Sequence, residues 1–242
     1  MGKAKKHMNK MTALFFVMIS MSAIAQSDTL VYEADSVKAI GQFRDGLKIG
    51  EWKWFSWNGK IQSSGEYIDD IPVNTWTNWN RDGSIMAIVS YDSTGAKHGK
   101  EIVYNYRVPE TIEVTNRYGI HDGPATWRHL DGYVIIEGLY SENMKTGTWT
   151  WYWPNGNIQA RGIMNDDEIE GIWFYYLENG SIENSGRFDK GLKTGEWIFY
   201  HANGKVRMKG SYDTDLQKGK WIQYDDNGKR QKVLNMIDGE ER

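Results

Sequence analysis

Two glycines four residues apart open the stretch GLKTGEWIFYHANGKVRMKGSY, residues 191–212, and glycines so placed can wrap backbone N–H groups around a phosphate. A phosphate loop also needs a helix whose N-terminus holds the anion, and a Lys-Ser or Lys-Thr after its last glycine. Neither follows Gly195, and the same spacing recurs without them at Gly46 and Gly50. Glu51 and Glu196 sit in equivalent places between a Gly and a Trp. Carboxylates about 5–10 Å apart could hydrolyse a glycosidic bond. Thr75, Thr148, Ile172 and Lys220 take that place elsewhere, so it reads as an exposed strand position. Asp166-Asp167-Glu168 could hold calcium, but Asp189-Lys190-Gly191 stands in a matching loop, and a solvated turn is the plainer reading. His98, His121, His129 and His201 are scattered, whereas a metal needs convergent ligands. No Ser-His-Asp set is nominated. No catalytic, cofactor-binding or metal-binding residue is assigned.

The remaining chemistry is aromatic. The chain has 12 Trp, 14 Tyr and 7 Phe. Aromatic side chains anchor protein interfaces and can cage quaternary ammonium groups. The densest cluster, Trp149, Trp151, Tyr152 and Trp153, is the first candidate interaction surface, and Trp52, Trp54 and Trp57 the second. The competing reading is a core of stacked rings, which would contribute about 0.2–1 kcal/mol per cross-strand pair beyond burial.

What must position these rings is a repeat. A unit written G-x-aromatic, loop, G-x-W-x-x-aromatic, x-x-N-G-x-[IV] recurs every 24 residues. Its first glycine is Gly41, Gly65, Gly138, Gly162, Gly186 and Gly210. Its tryptophan is Trp52, Trp76, Trp149, Trp173, Trp197 and Trp221. Two degenerate units, about residues 89–137, fill the gap. There Glu101 and Ala125 replace Trp, Tyr91 and Tyr118 serve as the aromatic after the glycine place, and Trp127 follows two residues after Ala125. Each unit reads as a β-hairpin. Glu196 to Tyr200 is aromatic and β-branched, Asn203-Gly204 predicts a tight turn with positive φ, and Val206, Met208, Gly210 and Tyr212 alternate onto one face. Glycine inside a strand marks a close neighbour, here expected to be a Trp ring of an adjacent strand. The expected fold class is all-β: an elongated, twisted antiparallel meander of about eight hairpins.

The ends and the charge narrow the function. Residues 1–25 read as a signal peptide, with Lys3, Lys5, Lys6 and Lys10 before an apolar run and Ala23-Ile24-Ala25 before the cleavage point. Residues 26–40 are expected to be a lead-in strand, 41–232 eight repeats, and 233–242 a capping strand and tail. The chain would be periplasmic or secreted, with no stable transmembrane span after cleavage. It holds no Cys, so no disulfide supports it. Without the four N-terminal lysines its net charge is −7, which disfavours nucleic acid as a partner.

The pattern from Gly186 through Gly191, Gly195, Trp197 and Tyr200 to Asn203-Gly204 resembles the bacterial variant of the MORN repeat. Chains of such repeats are often filed with YwqK-type antitoxins of toxin–antitoxin systems. The resemblance implies a non-catalytic scaffold for protein contacts, without a cofactor. Choline- and glucan-binding repeats share the Gly, Trp and turn features but run nearer 20 residues. The expected function is therefore an exported scaffold that binds another protein through one face of the ribbon. A surface glycan- or cell-wall-binding module, or an antitoxin- or immunity-like protein, is the alternative.

Overall fold

The computed structural model describes residues 29–31 and 38–242. The segment read as a signal peptide lies outside the described residues. The described residues are all-β, one 19-stranded sheet. Its strands are β1 (Thr29–Val31), β2 (Lys38–Arg44), β3 (Leu47–Phe55), β4 (Ile61–Ile68), β5 (Ile71–Trp79), β6 (Ile85–Tyr91), β7 (Lys97–Asn105), β8 (Glu110–Arg117), β9 (Ile120–His129) and β10 (Val134–Ser141). The sheet continues with β11 (Met144–Tyr152), β12 (Ile158–Asn165), β13 (Glu168–Tyr176), β14 (Ile182–Asp189), β15 (Leu192–Tyr200), β16 (Val206–Asp213), β17 (Leu216–Tyr224), β18 (Arg230–Ile237) and β19 (Glu240–Glu241). Every strand pairs antiparallel with its neighbours in the chain, so the sheet is an open meander of hairpins.

Two kinds of turn alternate along the two borders. On one border the Asn-Gly loops are longer than a two-residue turn. Gly204 N–H donates to His201 O at 2.8 Å and His201 N–H to Lys205 O at 2.7 Å, which encloses three residues. Gly204 carries the positive φ of 82°, whereas Asn203 keeps an ordinary one. This is a type I turn closed by a left-handed glycine. The asparagine contributes through its side chain instead, Oδ1 accepting from Lys205 N–H at 3.0 Å.

The two-residue turns with both φ positive lie on the other border, half of them without glycine. Glu142 and Asn143 have φ of 51° and 69°, and Asp166 and Asp167 have 49° and 67°. The acidic run at 166–168 is therefore a turn and the start of β13. Its Asp167 N–H donates to Lys145 O, and its Oδ1 accepts from Lys145 N–H at 2.9 Å. Asp70 binds Lys48, and Asp215 binds Lys193, in the same two-bond way. Each such turn is thus latched to the start of the preceding hairpin. Gly195, φ 62°, is no loop residue: it lies within β15 beside a register shift, and Asn74, φ 59°, takes the same role in β5.

A single-layer sheet leaves two faces. One carries the repeat tryptophans and the core; the other carries residues of opposite parity, such as Glu51, Lys53, Arg161 and Phe174.

Candidate functional site

The ring face is built from one device used six times. At Gly41, Gly65, Gly138, Gly162, Gly186 and Gly210 a Cβ would fall inside the indole of Trp52, Trp76, Trp149, Trp173, Trp197 and Trp221 respectively. Each indole lies flat in the slot left by the glycine of the preceding strand. Four of them donate Nε1–H to a backbone carbonyl of that strand: Trp76 to Glu66, Trp149 to Leu139, Trp173 to Ile163 and Trp197 to Arg187, at 3.1–3.3 Å. The aromatic two residues after the glycine meets the indole edge-on, as with Phe188 and Trp197 at 5.2 Å and Tyr212 and Trp221 at 5.1 Å. A second row of rings covers the next slot: Trp127 reaches Trp149, Trp151 reaches Trp173, Tyr175 reaches Trp197 and Phe199 reaches Trp221, at 5.4–6.4 Å. Lys48, Lys145 and Lys193 extend over Trp52, Trp149 and Trp197, with Nζ 4.8–5.8 Å from the ring centres.

This arrangement sorts the seven candidate surface residues. Trp149 and Trp52 are 1% and 0% exposed, so neither can touch a partner in this fold. The reason is the slot: a ring laid on bare backbone and roofed by two others is buried even in one layer. Trp54 and Trp151 are half-buried second-row rings on the same face. Tyr152 is half-buried on the opposite face, its hydroxyl donating to the Glu137 carboxylate. Burial first, and that carboxylate second, push its phenol above the ordinary range. Trp153 lies in a turn rather than on the strand face, with Nε1 bound to Tyr176 O at 3.1 Å. Trp57, in the equivalent loop, is 77% exposed. The seven therefore form no single surface.

The degenerate units have a physical explanation. Where a slot glycine is replaced by Val89 or Val114, the Trp that would fill it is replaced by Glu101 or Ala125. Both valines are buried and occupy the room that a ring takes elsewhere. Glu101 is buried with two partners, Lys97 Nζ at 2.7 Å and Asn116 Nδ2 at 2.9 Å. Asn116 occupies the aromatic place of the fourth unit. Tyr118 lies instead in the following turn, exposed and with φ of 52°. That corrects the alignment expected from the sequence and accounts for the apparently shortened loop.

The described histidines serve separate local roles. His98 packs on Tyr118, His121 on Tyr140, His129 pairs with Asp131, and His201 Nε2 meets Tyr224 O. Among the described residues no group of three or more His, Asp or Glu could hold a metal ion. Glu51 and Glu196 sit on different hairpins beside Lys53 and Lys209.

The opposite face carries features that the sequence reading did not single out. Leu139, Ile163, Ile172 and Phe174 are exposed there, at places that hold polar residues such as Glu66, Thr75 and Thr77 in other units. Arg161 lies directly across from Phe174, and Arg187 across from Ile172. The signal was available: bulky apolar residues at strand positions of opposite parity to the tryptophans.

Four segments, residues 48–69, 145–166, 193–214 and 217–238, match the family described as the MORN repeat variant. They fall on the hairpins β3–β4, β11–β12, β15–β16 and β17–β18. Among the unmatched hairpins, β5–β6 and β13–β14 use the same ring slot, Trp76 over Gly65 and Trp173 over Gly162. No curated protein matches the chain. Among solved structures, a porin-like protein from Bacteroides uniformis ATCC 8492 is similar at 6% identity and a TM-score of 0.24, covering 87% of this chain and 88% of that one.

Proposed function

We propose that this chain, four segments of which match the MORN repeat variant, is an exported, non-catalytic scaffold that binds another protein through one face of its ribbon. The observation that carries this reading is the open sheet itself, which among the described residues has no second layer on either face and exposes bulky apolar side chains on one of them. Repetition supplies extent and spacing rather than a convergent polar centre, which suits contact along a surface. In this reading the N-terminal segment directs export, and the mature chain begins at Gln26. The test is a cross-linking pull-down from envelope extract with the mature protein as bait, beside N-terminal sequencing of the exported form. A specific cross-linked partner and a Gln26 start are expected; no specific partner removes the scaffold reading.

A second reading, contact with a glycan or cell wall, is favoured by the half-exposed Trp54 and Trp151 on the ring face. Sugar binding would quench or shift their fluorescence, and Trp151→Ala would abolish the change. Titration of a glycan panel without any such change removes this reading.

A further inference from the structure

We propose that Asn227 is a site of covalent modification: its side-chain amide is lost as ammonia to the neighbouring Gly228 nitrogen, and aspartate or isoaspartate takes its place. This chemistry is independent of the scaffold reading. Five turns carry Asn-Gly, at Asn58, Asn155, Asn179, Asn203 and Asn227. A glycine after asparagine puts no side chain in the way of its own nitrogen. All five asparagines are exposed, so access does not separate them. The five glycines also share one geometry. Their φ runs from 79° to 88°, and each N–H donates three residues back, to the carbonyl of Ser56, Trp153, Leu177, His201 or Asp225, at 2.8–2.9 Å. The nucleophile is therefore held alike in every turn. What differs is the hold on the carboxamide that it attacks.

Four of the five carboxamides are pinned. Asn203 Oδ1 accepts from Lys205 N–H at 3.0 Å, and its Nδ2 donates to Asp226 O at 2.7 Å. Asn155 makes the same pair of bonds, with Asn157 N–H at 2.9 Å and Glu178 O at 2.8 Å. Asn179 Oδ1 accepts from the N–H and the hydroxyl of Ser181, and Asn58 Oδ1 from Lys60 N–H and the Ser56 hydroxyl. Among the described residues the Asn227 carboxamide makes no such bond. The cause lies two residues earlier. Asp225 stands where the other turns have Ser56, Trp153, Leu177 and His201. Its carboxylate accepts from Lys229 N–H at 2.8 Å and from Asn227 N–H at 3.1 Å. The Lys229 N–H is the counterpart of the Lys205 N–H that pins Asn203. Asp92 captures Ala96 N–H and Thr94 N–H in the same way, so an aspartate at this place takes the bond by itself. Whenever the turn opens, the Asn227 carboxamide can rotate onto the Gly228 nitrogen without first breaking a bond of its own. Hydroxide removes the Gly228 amide proton, and the nitrogen attacks Asn227 Cγ. The new N–Cγ bond forms, the Cγ–Nδ2 bond breaks, and Nδ2 leaves as ammonia with a proton from water. Water then opens the five-membered imide at either carbonyl, giving aspartate or isoaspartate. Either product adds a carboxylate beside Asp225 and Asp226.

The test incubates the purified full chain at mildly alkaline pH and follows the five turns by peptide mapping. Mass spectrometry reports amide loss, and chromatography separates aspartate from isoaspartate. Asn227 is expected to convert first, and Asn155 and Asn203, pinned through both Oδ1 and Nδ2, last. In urea, where the turns are gone, the five rates should converge. Asp225→His copies the His201–Asn203 turn and should slow conversion of Asn227 about two- to tenfold, the range that one hydrogen bond of ordinary net strength supplies. Circular dichroism confirms that the variant is folded. Should it unfold, Asp225→Ser, which copies the Ser56–Asn58 turn, replaces it with the same expectation. Conversion of Asn155 or Asn203 ahead of Asn227 overturns the proposal, as does indifference of Asn227 to the folded Asp225 variant. The same ranking in urea also overturns it, because local sequence rather than the turn would then set the rates. So does an intact Asn227 in the folded chain under conditions that convert it in urea.

Discussion

A glycine and a tryptophan eleven residues later act as one structural element in this chain. Gly186 leaves bare backbone, and the Trp197 indole lies on it with its N–H bound to Arg187 O. The sequence carries its own control. At the fourth unit Val114 and Ala125 stand in the two places, both buried, so bulk has moved from one member to the other. The coupling gives a quantitative expectation. Gly186→Val alone forces a branched side chain into an occupied slot and should cost about 1–3 kcal/mol. Trp197→Ala alone should cost about 3–5 kcal/mol through lost packing. The double variant recreates the Val114/Ala125 pairing and should cost less than the two together, by about 0.5–3 kcal/mol. Urea denaturation of the full chain measures all three. Strict additivity would mean that the two side chains do not compete for one space. The glycine–ring contact was legible in the sequence, because a glycine at a fixed place within a strand needs a large neighbour. The burial of Trp149 was not, because two further residues, Trp127 and Tyr140, roof it from outside its own hairpin.

At the scale of the hairpin, alternating turns set the register. The Asn-Gly border was legible because a left-handed glycine is nearly obligatory there; its turn type was not, since asparagine suits both a two-residue turn and a side-chain-capped type I turn. The other border was harder to read, because Glu142-Asn143 and Asp166-Asp167 make positive-φ turns without glycine. Their latch to the previous hairpin keeps these strained turns in place, and it has an acid-sensitive member. The Asp70 carboxylate is held below its ordinary range, first by the Lys48 N–H and then by the Lys48 ammonium. Asp82, Asp92 and Asp225 of other turns shift the same way through hydrogen bonds to Ser84, Thr94 and Lys229. A carboxyl whose folded pKa is depressed contributes stability above its unfolded value, about 3.9, and loses it as pH falls through the lower folded value. The urea midpoint should therefore decline below about pH 4. Asp70→Asn should flatten part of that decline, because an amide oxygen accepts from the same N–H at every pH. Asn143 already does so toward His121 N–H at 2.7 Å. Parallel pH curves for the two proteins would show that the Asp70 latch carries none of the acid sensitivity.

At the scale of the array, contacts among the described residues run between adjacent strands and no pairing among them closes the sheet on itself, so each hairpin relies on its neighbours. The same order of strands explains why fold and surface were unequally legible. Periodicity reveals what every unit shares, which is the slot, the turns and the meander. The exposed Phe174 and Arg161 belong to what the units do not all share, since other units carry Thr77 and Ser64 at those places. A repeat reading averages such departures away. Modularity also makes a deletion predictable. Removal of residues 168–191 joins Asp167 to Leu192 and takes out β13 and β14 with one turn from each border. The Gly162 slot, vacated by Trp173, then receives Trp197, and the Asp167 turn leads into Leu192-Lys193-Thr194 as it led into Glu168-Ile169-Glu170. Every remaining ring keeps a slot and every strand keeps its facing. The shortened protein should fold with an unchanged far-ultraviolet signature, and its denaturant m-value should fall by about one-eighth, in proportion to the surface removed. Removal of residues 180–191 instead fuses β13 to β15 without a turn, reverses the direction of every later strand, and removes the Gly186 slot while its ring, Trp197, remains. That protein should lose cooperative unfolding. Equal behaviour of the two deletions would mean that stability is not transmitted from hairpin to hairpin.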